Sequence, residues 1–443
     1  MTLPQIANAT GGVLCKNINP LIKAVSTDSR EVVAGDLFIA ISGKYKNGAD
    51  YVSEARKKGG YILSPVQHLS DIFHTDSRAA LLSFAKFYKN TLPYILYRIG
   101  ITGSVGKTTT KEFLRVILQS RYKTHANEGN FNNEIGLPMS MLSAGRECEI
   151  LIMEMGMNHR GEIAKMSDCL APNLALITNI GTAHIGNLGS REEIAKAKLE
   201  ILHGMTESDV IVPHDEPLLS AAGKSTFSLN NTSADFSLIT DRRGYATLYK
   251  SGKPYIRNFR PPHNEEHHLQ CLIAAASVAM RVGLTPEKIS LGISSISDDN
   301  IRQRCFFYEN YVFYADYYNA SRESVLALIN AGEKIDHSDG KSLLIGDILE
   351  LGNMGETIHY EIGRTVSPSV FNNLFLFGEL VHEVRRGAVD SGFPAERIFI
   401  INDTSRPELC ADLIRERCKP GEMIFMKASR GMRLERVLDC FKN

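Results

Sequence analysis

Gly103-Ser104-Val105-Gly106-Lys107-Thr108-Thr109-Thr110 is the stretch on which the fold turns. Upstream of it, Tyr94–Ile101 is an apolar run that reads as a strand. Downstream, Thr108–Leu118 places Phe113, Leu114, Ile117 and Leu118 at helical spacing for one buried face. Strand, glycine-rich turn and helix in that order are the context of a phosphate loop. Small residues let successive backbone N–H groups wrap a phosphate at the helix N-terminus. Lys107 is then placed to reach β- and γ-phosphates, and the Thr108 hydroxyl to face Mg²⁺. The generic pattern has glycine where this chain has Ile101. The competing reading is a strand–turn–helix corner that merely contains Gly-Lys-Thr; the flanking strand and helix favour the phosphate site.

Working outward, Glu149–Met155 and Leu174–Ile180 are apolar runs without alternation, as in a parallel sheet covered on both faces. Glu154 ends the first of them. Strand C-terminal ends line the ligand crevice of such sheets, so its carboxylate is a candidate to hold Mg²⁺ directly or through water. His184 lies in the turn after the second strand, and Glu192–Leu202 reads as a helix carrying Lys196 and Lys198. The residues alone single out none of these three, because lone loop histidines and helical lysines usually face solvent.

Toward the N-terminus, Asp36–Ile41 and Gly60–Leu63 read as strands and Leu81–Tyr88 as a helix. Toward the C-terminus come an alanine-rich helix at 267–281, a polar stretch at Ser294–Asn300, and strands at Ser342–Ile345, Asn373–Phe377 and Met423–Met426. The expected architecture is α/β in three domains. A central phosphate-loop parallel sheet (85–297) is flanked by a small N-terminal α/β domain (1–84) and a Rossmann-like C-terminal α/β domain (298–443).

Composition narrows the function classes. Lys+Arg and Asp+Glu both number 50 among 443 residues, so no field of one sign marks a nucleic-acid binder. Eight cysteines occur without any CxxC pair, which argues against a zinc ribbon or a thioredoxin-like site and for buried free thiols in a reducing compartment. The start lacks the basic and apolar regions of a signal peptide, and no run approaches the roughly 18 apolar residues of a membrane span. A soluble cytoplasmic protein is expected. A kinase, an ATPase motor and an ATP-dependent ligase all remain open, since each cradles phosphate and neutralises charge.

Several further segments carry a resemblance. They are Ser26-Thr27-Asp28-Ser29-Arg30 with Gly35–Ala40; Thr102–Thr110; Gly129-Asn130-Phe131-Asn132-Asn133-Glu134-Ile135-Gly136-Leu137-Pro138; Glu154–Ile163; His184 with Gly189-Ser190 and Ala195–Ile201; Gly346-Asp347-Ile348-Leu349-Glu350-Leu351-Gly352; and Lys427–Glu435. Taken in order, from about Ser26 to about Leu438, they resemble the Mur ligase family, most closely its D-alanyl-D-alanine-adding branch. Thr102–Thr110 is similar to the family's TGxxGKTTT loop, which accounts for Ile101.

The resemblance implies an ATP-dependent carbon–nitrogen ligase of peptidoglycan precursor synthesis that joins UDP-muramoyl-peptide to D-alanyl-D-alanine through an acyl-phosphate. It implies ATP, two Mg²⁺ ions, a single subunit, and no nucleic-acid or membrane partner. It assigns Gly103, Ser104, Val105, Gly106, Lys107, Thr108 and Thr109, with Arg304 and Asp316, to ATP. Thr108, Glu154, His184 and a carbamylated Lys198 are assigned to the metals, with Lys107, His184 and Lys198 as catalytic groups. Ser29, Arg30, Asn132, Asn133, Ser429 and Arg430 are assigned to the substrates. The chain departs from the family at Asn47-Gly48-Ala49, at Ala315, and at His268 and Cys271, which stand where the family carries two asparagines, the second usually touching adenine. Asn264 is a candidate shifted equivalent, and a diverged paralogue acting on another carboxylate is the alternative reading.

Overall fold

The computed structural model describes residues 1–43, 46–206, 209–297, 304–316 and 319–442, without the side chain of Arg304. The first sheet holds β1 (Val13–Leu14), β2 (Val25–Ser26), β3 (Leu37–Ile39), β4 (Tyr61–Ser64) and β5 (Ile72–Phe73), in the order β1-β5-β4-β3-β2. Only β1 runs antiparallel to its neighbour. The helix Ser77–Asn90 follows, its first N–H groups received by the Asp76 carboxylate. Its Ala80, Leu81 and Phe84 belong to the first core, and Ala85 to the core under the central sheet. The expected break between residues 84 and 85 therefore falls inside a continuous helix that serves both sides.

The central sheet is formed by β6 (Tyr97–Thr102), β7 (Thr124–Ala126), β8 (Ile150–Glu154), β9 (Leu174–Ile177), β10 (Val210–Pro213), β11 (Ser225–Leu229), β12 (Phe236–Thr240), β13 (Ala246–Lys250) and β14 (Lys253–Phe259). Its order is β14-β13-β12-β11-β10-β9-β6-β8-β7. Strands from β7 across to β12 pair in parallel; β12, β13 and β14 form an antiparallel extension. Every residue of β8 and β9 is buried, which explains their unbroken apolar runs. The chain leaves β6, builds β7 and β8 on one side of it, then crosses to place β9 on the other. This reversal makes a switch point at the C-terminal ends of β6, β8 and β9, where such sheets open a crevice. The helix Lys107–Gln119 covers one face, packing Phe113, Leu114, Ile117 and Leu118 against Leu272, Ala275, Ala276 and Ala279 of the helix Glu266–Val282. Alanines on the second helix let the two come close, and truncating Leu114 there would cost about 2–5 kcal/mol.

The third sheet holds β15 (Arg304–Tyr308), β16 (Tyr311–Asp316), β17 (Lys341–Gly346), β18 (Leu374–Phe377), β19 (Ile398–Ile401) and β20 (Met423–Lys427), in the order β15-β16-β20-β17-β18-β19. It is parallel apart from β15. The boundary expected near residue 297 adjoins 298–303, which lie outside the described residues. No disulfide joins the eight cysteines; five are buried, while Cys15 and Cys305 are exposed. Among the described residues no helix is long and apolar enough to cross a membrane.

Candidate active site

The phosphate loop is held by the chain that leaves β9. That strand stops at Ile177 rather than Ile180 because Thr178 and Asn179 turn onto the loop. The Thr178 hydroxyl donates to the Val105 carbonyl at 2.7 Å, and Asn179 both accepts from the Val105 N–H at 2.9 Å and donates to its carbonyl at 3.0 Å. The Gly181 N–H donates to Ser104 Oγ at 2.8 Å. Gly103 has φ 149°, and a Cβ there would meet Thr178 Oγ1 at 1.9 Å, so no side chain fits. Gly106, at φ 80°, caps the helix that begins at Lys107. The Lys107 ammonium folds back over the loop and donates to the carbonyls of Gly103 (2.7 Å) and Ser104 (3.2 Å).

Glu154, at the end of β8, is 1% exposed. One carboxylate oxygen accepts from the Thr108 hydroxyl at 2.7 Å and the other from Asn132 Nδ2 at 2.8 Å. Asn127 fixes the strand end by pairing with the Glu154 backbone N–H and carbonyl at 2.8 and 3.0 Å. A hydroxyl and a carboxylate side by side at the cavity are hard oxygen donors of the kind Mg²⁺ takes. Lys198 is buried, unlike its helix neighbour Lys196, which is exposed and paired with Glu193. Burial, reinforced by the Lys107 charge, holds the Lys198 pKa well below the ordinary lysine value. That shift favours the neutral amine, the form that reacts with CO₂, so the site fits a carbamate. Burial, followed by Lys107, also lowers the pKa of His184 against the opposing pull of Glu350. A neutral imidazole is the form that can bind a metal.

These groups meet in one cavity of about 560 Å³, whose lining includes Ser104–Thr109, Asn132, Asn133, Glu154, His184, Lys198 and, from the third sheet, Asp316. Gly103 stands behind the loop as its hinge. Ser29 and Arg30 lie elsewhere, in the turn after β2 of the N-terminal lobe, where the Ser29 hydroxyl donates to Glu54 and Arg30 pairs with Asp28. Ser429 and Arg430 also lie off the cavity: Ser429 Oγ accepts from the Leu349 N–H at 2.9 Å, and Arg430 pairs with Glu435 at 3.0 Å. The Arg304 side chain is outside the described residues. At the end of the cavity nearest the helix Glu266–Val282, His268 is buried and its Nδ1 pairs with Glu265 at 3.1 Å. Cys271 Sγ faces the Gly106 carbonyl at 3.7 Å. Asn264 is exposed near Gly244, outside the cavity.

Sequence reasoning missed three residues of the third lobe, at the end of β20, in the helix Arg322–Lys334 and in the loop after β17. Lys427 pairs with Asp316 at 2.7 Å and donates to the Asn319 carbonyl at 2.9 Å. Glu323 accepts from the Thr182 N–H at 2.9 Å and its hydroxyl at 3.2 Å. Glu350 Oε2 lies 2.7 Å from His184 Nδ1. Lys427 and Glu350 sit in quoted segments, but nothing in their spacing says that they face the central sheet.

A phosphate loop opposite a buried strand-end carboxylate, roofed by a second α/β lobe, defines a three-lobed protein of the phosphate-loop class. The Mur ligase middle domain matches residues 101–278. The UDP-N-acetylmuramoyl-tripeptide–D-alanyl-D-alanine ligase of Bacillus subtilis (strain 168) is 33% identical over 99% of this chain and 97% of its own length. The enzyme of the same name from Escherichia coli (strain K12) is 28% identical over 87% of each. A crystal structure of MurF from Acinetobacter baumannii superposes with a TM-score of 0.87 at 27% identity, covering 99% of this chain and 98% of that one. MurF ligase from Thermotoga maritima, in complex with ADP, gives 0.79 at 26% identity over 95% and 97%. The chain belongs to the Mur ligase family.

Proposed function

We propose that the protein joins D-alanyl-D-alanine to UDP-N-acetylmuramoyl-tripeptide, using ATP, in the peptidoglycan precursor synthesis of the cytoplasm, as a single subunit. The observation that carries this reading is the convergence of Lys107, Thr108, Glu154, His184 and Lys198 on one cavity roofed by Asp316, in a chain whose relatives of that name match it over nearly their whole length. The loop N–H groups bind the nucleotide's phosphates and Lys107 turns its ammonium from the loop carbonyls to the β/γ-oxygens. The substrate carboxylate takes the γ-phosphoryl group to give an acyl-phosphate. The amine of the dipeptide attacks that carbonyl, and the tetrahedral intermediate collapses with release of phosphate. Thr108 and Glu154 would hold one Mg²⁺, and His184 with a Lys198 carbamate a second; bound there, the ions neutralise charge on the transferred oxygens. Asn132, whose amide is already fixed on Glu154, and Asn133 border the substrate side. Asp316, held by Lys427, closes on the nucleotide from the third sheet and excludes water from a hydrolysable intermediate.

The test is direct. Incubation with ATP, Mg²⁺, UDP-muramoyl-tripeptide and D-alanyl-D-alanine should yield one phosphate per amide product of the summed mass less water. Phosphate release without that product, or product with another amine only, would instead support a diverged paralogue, to which the departures at Asn47-Gly48-Ala49, His268 and Cys271 point.

A further inference from the structure

The loop that carries His184 starts on a bond to its own lobe, from the Gly181 N–H to Ser104, but from Thr182 to Gly186 it is gripped by the third sheet's lobe. His184 adopts the left-handed conformation at φ 64°, and Glu350 faces it in the same conformation, also at φ 64°. Left-handed backbone is uncommon for residues other than glycine, and it persists where surrounding contacts over-determine it. Here the contacts are visible. The Gly186 N–H donates to the Glu350 carbonyl at 3.1 Å. The backbones come so close that a Cβ on Gly186 would meet the Gly352 nitrogen at 2.4 Å and the Glu350 oxygen at 2.6 Å. Glu350 is thus fixed at its backbone by Gly186, while its carboxylate Oε2 accepts from His184 Nδ1 at 2.7 Å.

The two sides of the imidazole have different surroundings. His184 lines the cavity together with Lys107 and Lys198; Glu350, which meets its Nδ1, is not part of that lining. A carboxylate on Nδ1 fixes the hydrogen there, so the lone pair is on Nε2, the nitrogen that remains for the cavity. Metal-binding histidines are held in this way: one nitrogen meets the ion, the other donates to a carboxylate that sets the tautomer and raises ligand basicity.

We infer that Glu350 is a positioning residue for the second cation, delivered by the third lobe, so that docking of that lobe and binding of that cation favour each other. The inference rests on the reading of His184 as a cation ligand. Two lobes that share one carboxylate–imidazole pair are linked sites, and linkage is reciprocal: whatever docking adds to ion affinity, the ion returns to docking. Glu323 strengthens the same grip by receiving the Thr182 N–H and hydroxyl two residues before His184.

Mn²⁺ binding to the full-length protein, saturated with a non-hydrolysable ATP analogue, tests this by electron paramagnetic resonance, with small-angle scattering on the same samples. The wild type should bind two ions. His184→Ala should lose the weaker one and keep the one at Thr108 and Glu154. Glu350→Ala should weaken the second ion by about 10–100-fold, leave the first ion and the nucleotide affinity unchanged, and shift compaction to higher Mn²⁺ concentration. Glu350→Gln keeps an acceptor oxygen for Nδ1 and should fall between. If His184→Ala retains both ions, the His184 reading fails and this inference with it. If His184→Ala loses the second ion while Glu350→Ala binds both as the wild type does, only the role of Glu350 is overturned. A Glu350→Ala variant that loses nucleotide and both ions together would show a merely structural contact and overturn it as well.

Discussion

The phosphate loop and the loop 181–186 lie side by side over the same strand ends, yet they are secured by different parts of the molecule. The phosphate loop is tied by Thr178, Asn179 and Gly181, all within the central sheet and its first turn. Beyond Gly181, the neighbouring loop is tied by Glu323, Glu350 and the close approach of Gly352 to Gly186, contacts supplied by the third lobe. One half of the site is therefore complete once the central sheet folds, and the other is complete only when two lobes meet. Under the proposed function, such a division would let substrate and nucleotide enter an assembled phosphate site before the third lobe supplies the rest.

The largest effect should come from the preformed half. Lys107→Ala should lower kcat by about 10²–10³ while leaving the thermal midpoint near that of the wild type, because the two carbonyls it meets belong to its own loop at the helix start. Wild-type turnover in a folded variant would remove the phosphate-loop assignment.

Lys198 belongs to the second half and should come next. Lys198→Ala should lose about 10²-fold in activity, with partial recovery in formate or acetate, whereas Lys196→Ala on the exposed face should change little. The buried amine also predicts a stability signature. The folded pKa lies well below that of the unfolded chain, near 10.4. Between the two values the unfolded chain holds one more proton, so stability rises with pH through that window and is lost as pH falls toward the folded pKa. In CO₂-free buffer Lys198→Met should flatten that rise and should be the more stable protein at neutral pH. Parallel melting curves for the two across pH 7–10 would mean a protonated, solvated lysine.

Gly186→Val strikes the comparison itself. Its Cβ would push against the Glu350 and Gly352 backbone, which cannot step aside. Misplacing catalytic groups by about 1 Å can cost up to 10²-fold, and a tens-fold fall in kcat/KM is expected with nucleotide affinity retained. Hydrogen exchange should stay slow in β6, β8 and β9 and speed up around residues 181–186 and 348–352. Equal exchange in all of these would argue that the two halves are one unit.

The same division explains what the sequence makes legible. The phosphate loop, Glu154, and the helices and strands around them are written in local spacing: strand, turn and periodic helix, with apolar runs where both faces are covered. The antiparallel extension β12–β14 escaped because its alternating, half-exposed strands, such as Ala246–Lys250, lack such runs. Lys198 reads from sequence alone as a solvated helix lysine, and its burial at the cavity is decided by tertiary packing. Glu323 and Glu350 are acidic residues in a loop and a helix of another lobe, 141 and 166 positions from their partners. No periodicity encodes a contact of that range, so they emerge only from the tertiary structure.

The smallest effect is expected at the far end of the cavity, where His268 and Cys271 are weak readers of a base. Recognition of a purine edge needs a donor and an acceptor together, as an asparagine provides. Cys271 offers a weak donor, and it faces the Gly106 carbonyl rather than open space. Burial pushes its thiol up to about 11, so no thiolate is present at neutral pH to accept a hydrogen bond. His268 is engaged with Glu265 and His267 at 3.1 and 3.2 Å. Asn264 sits outside the cavity near Gly244, so Asn264→Ala should leave nucleotide preference unchanged. The ratio of kcat/KM for ATP over GTP should be modest. Cys271→Asn should raise it by the worth of one or two hydrogen bonds, about 0.5–1.5 kcal/mol each, or roughly 2–10-fold per bond. A wild-type ratio that is already large and insensitive to Cys271→Asn would place base recognition on other lining residues, such as Gln270 or the wall formed by Phe227, Ser228 and Leu229.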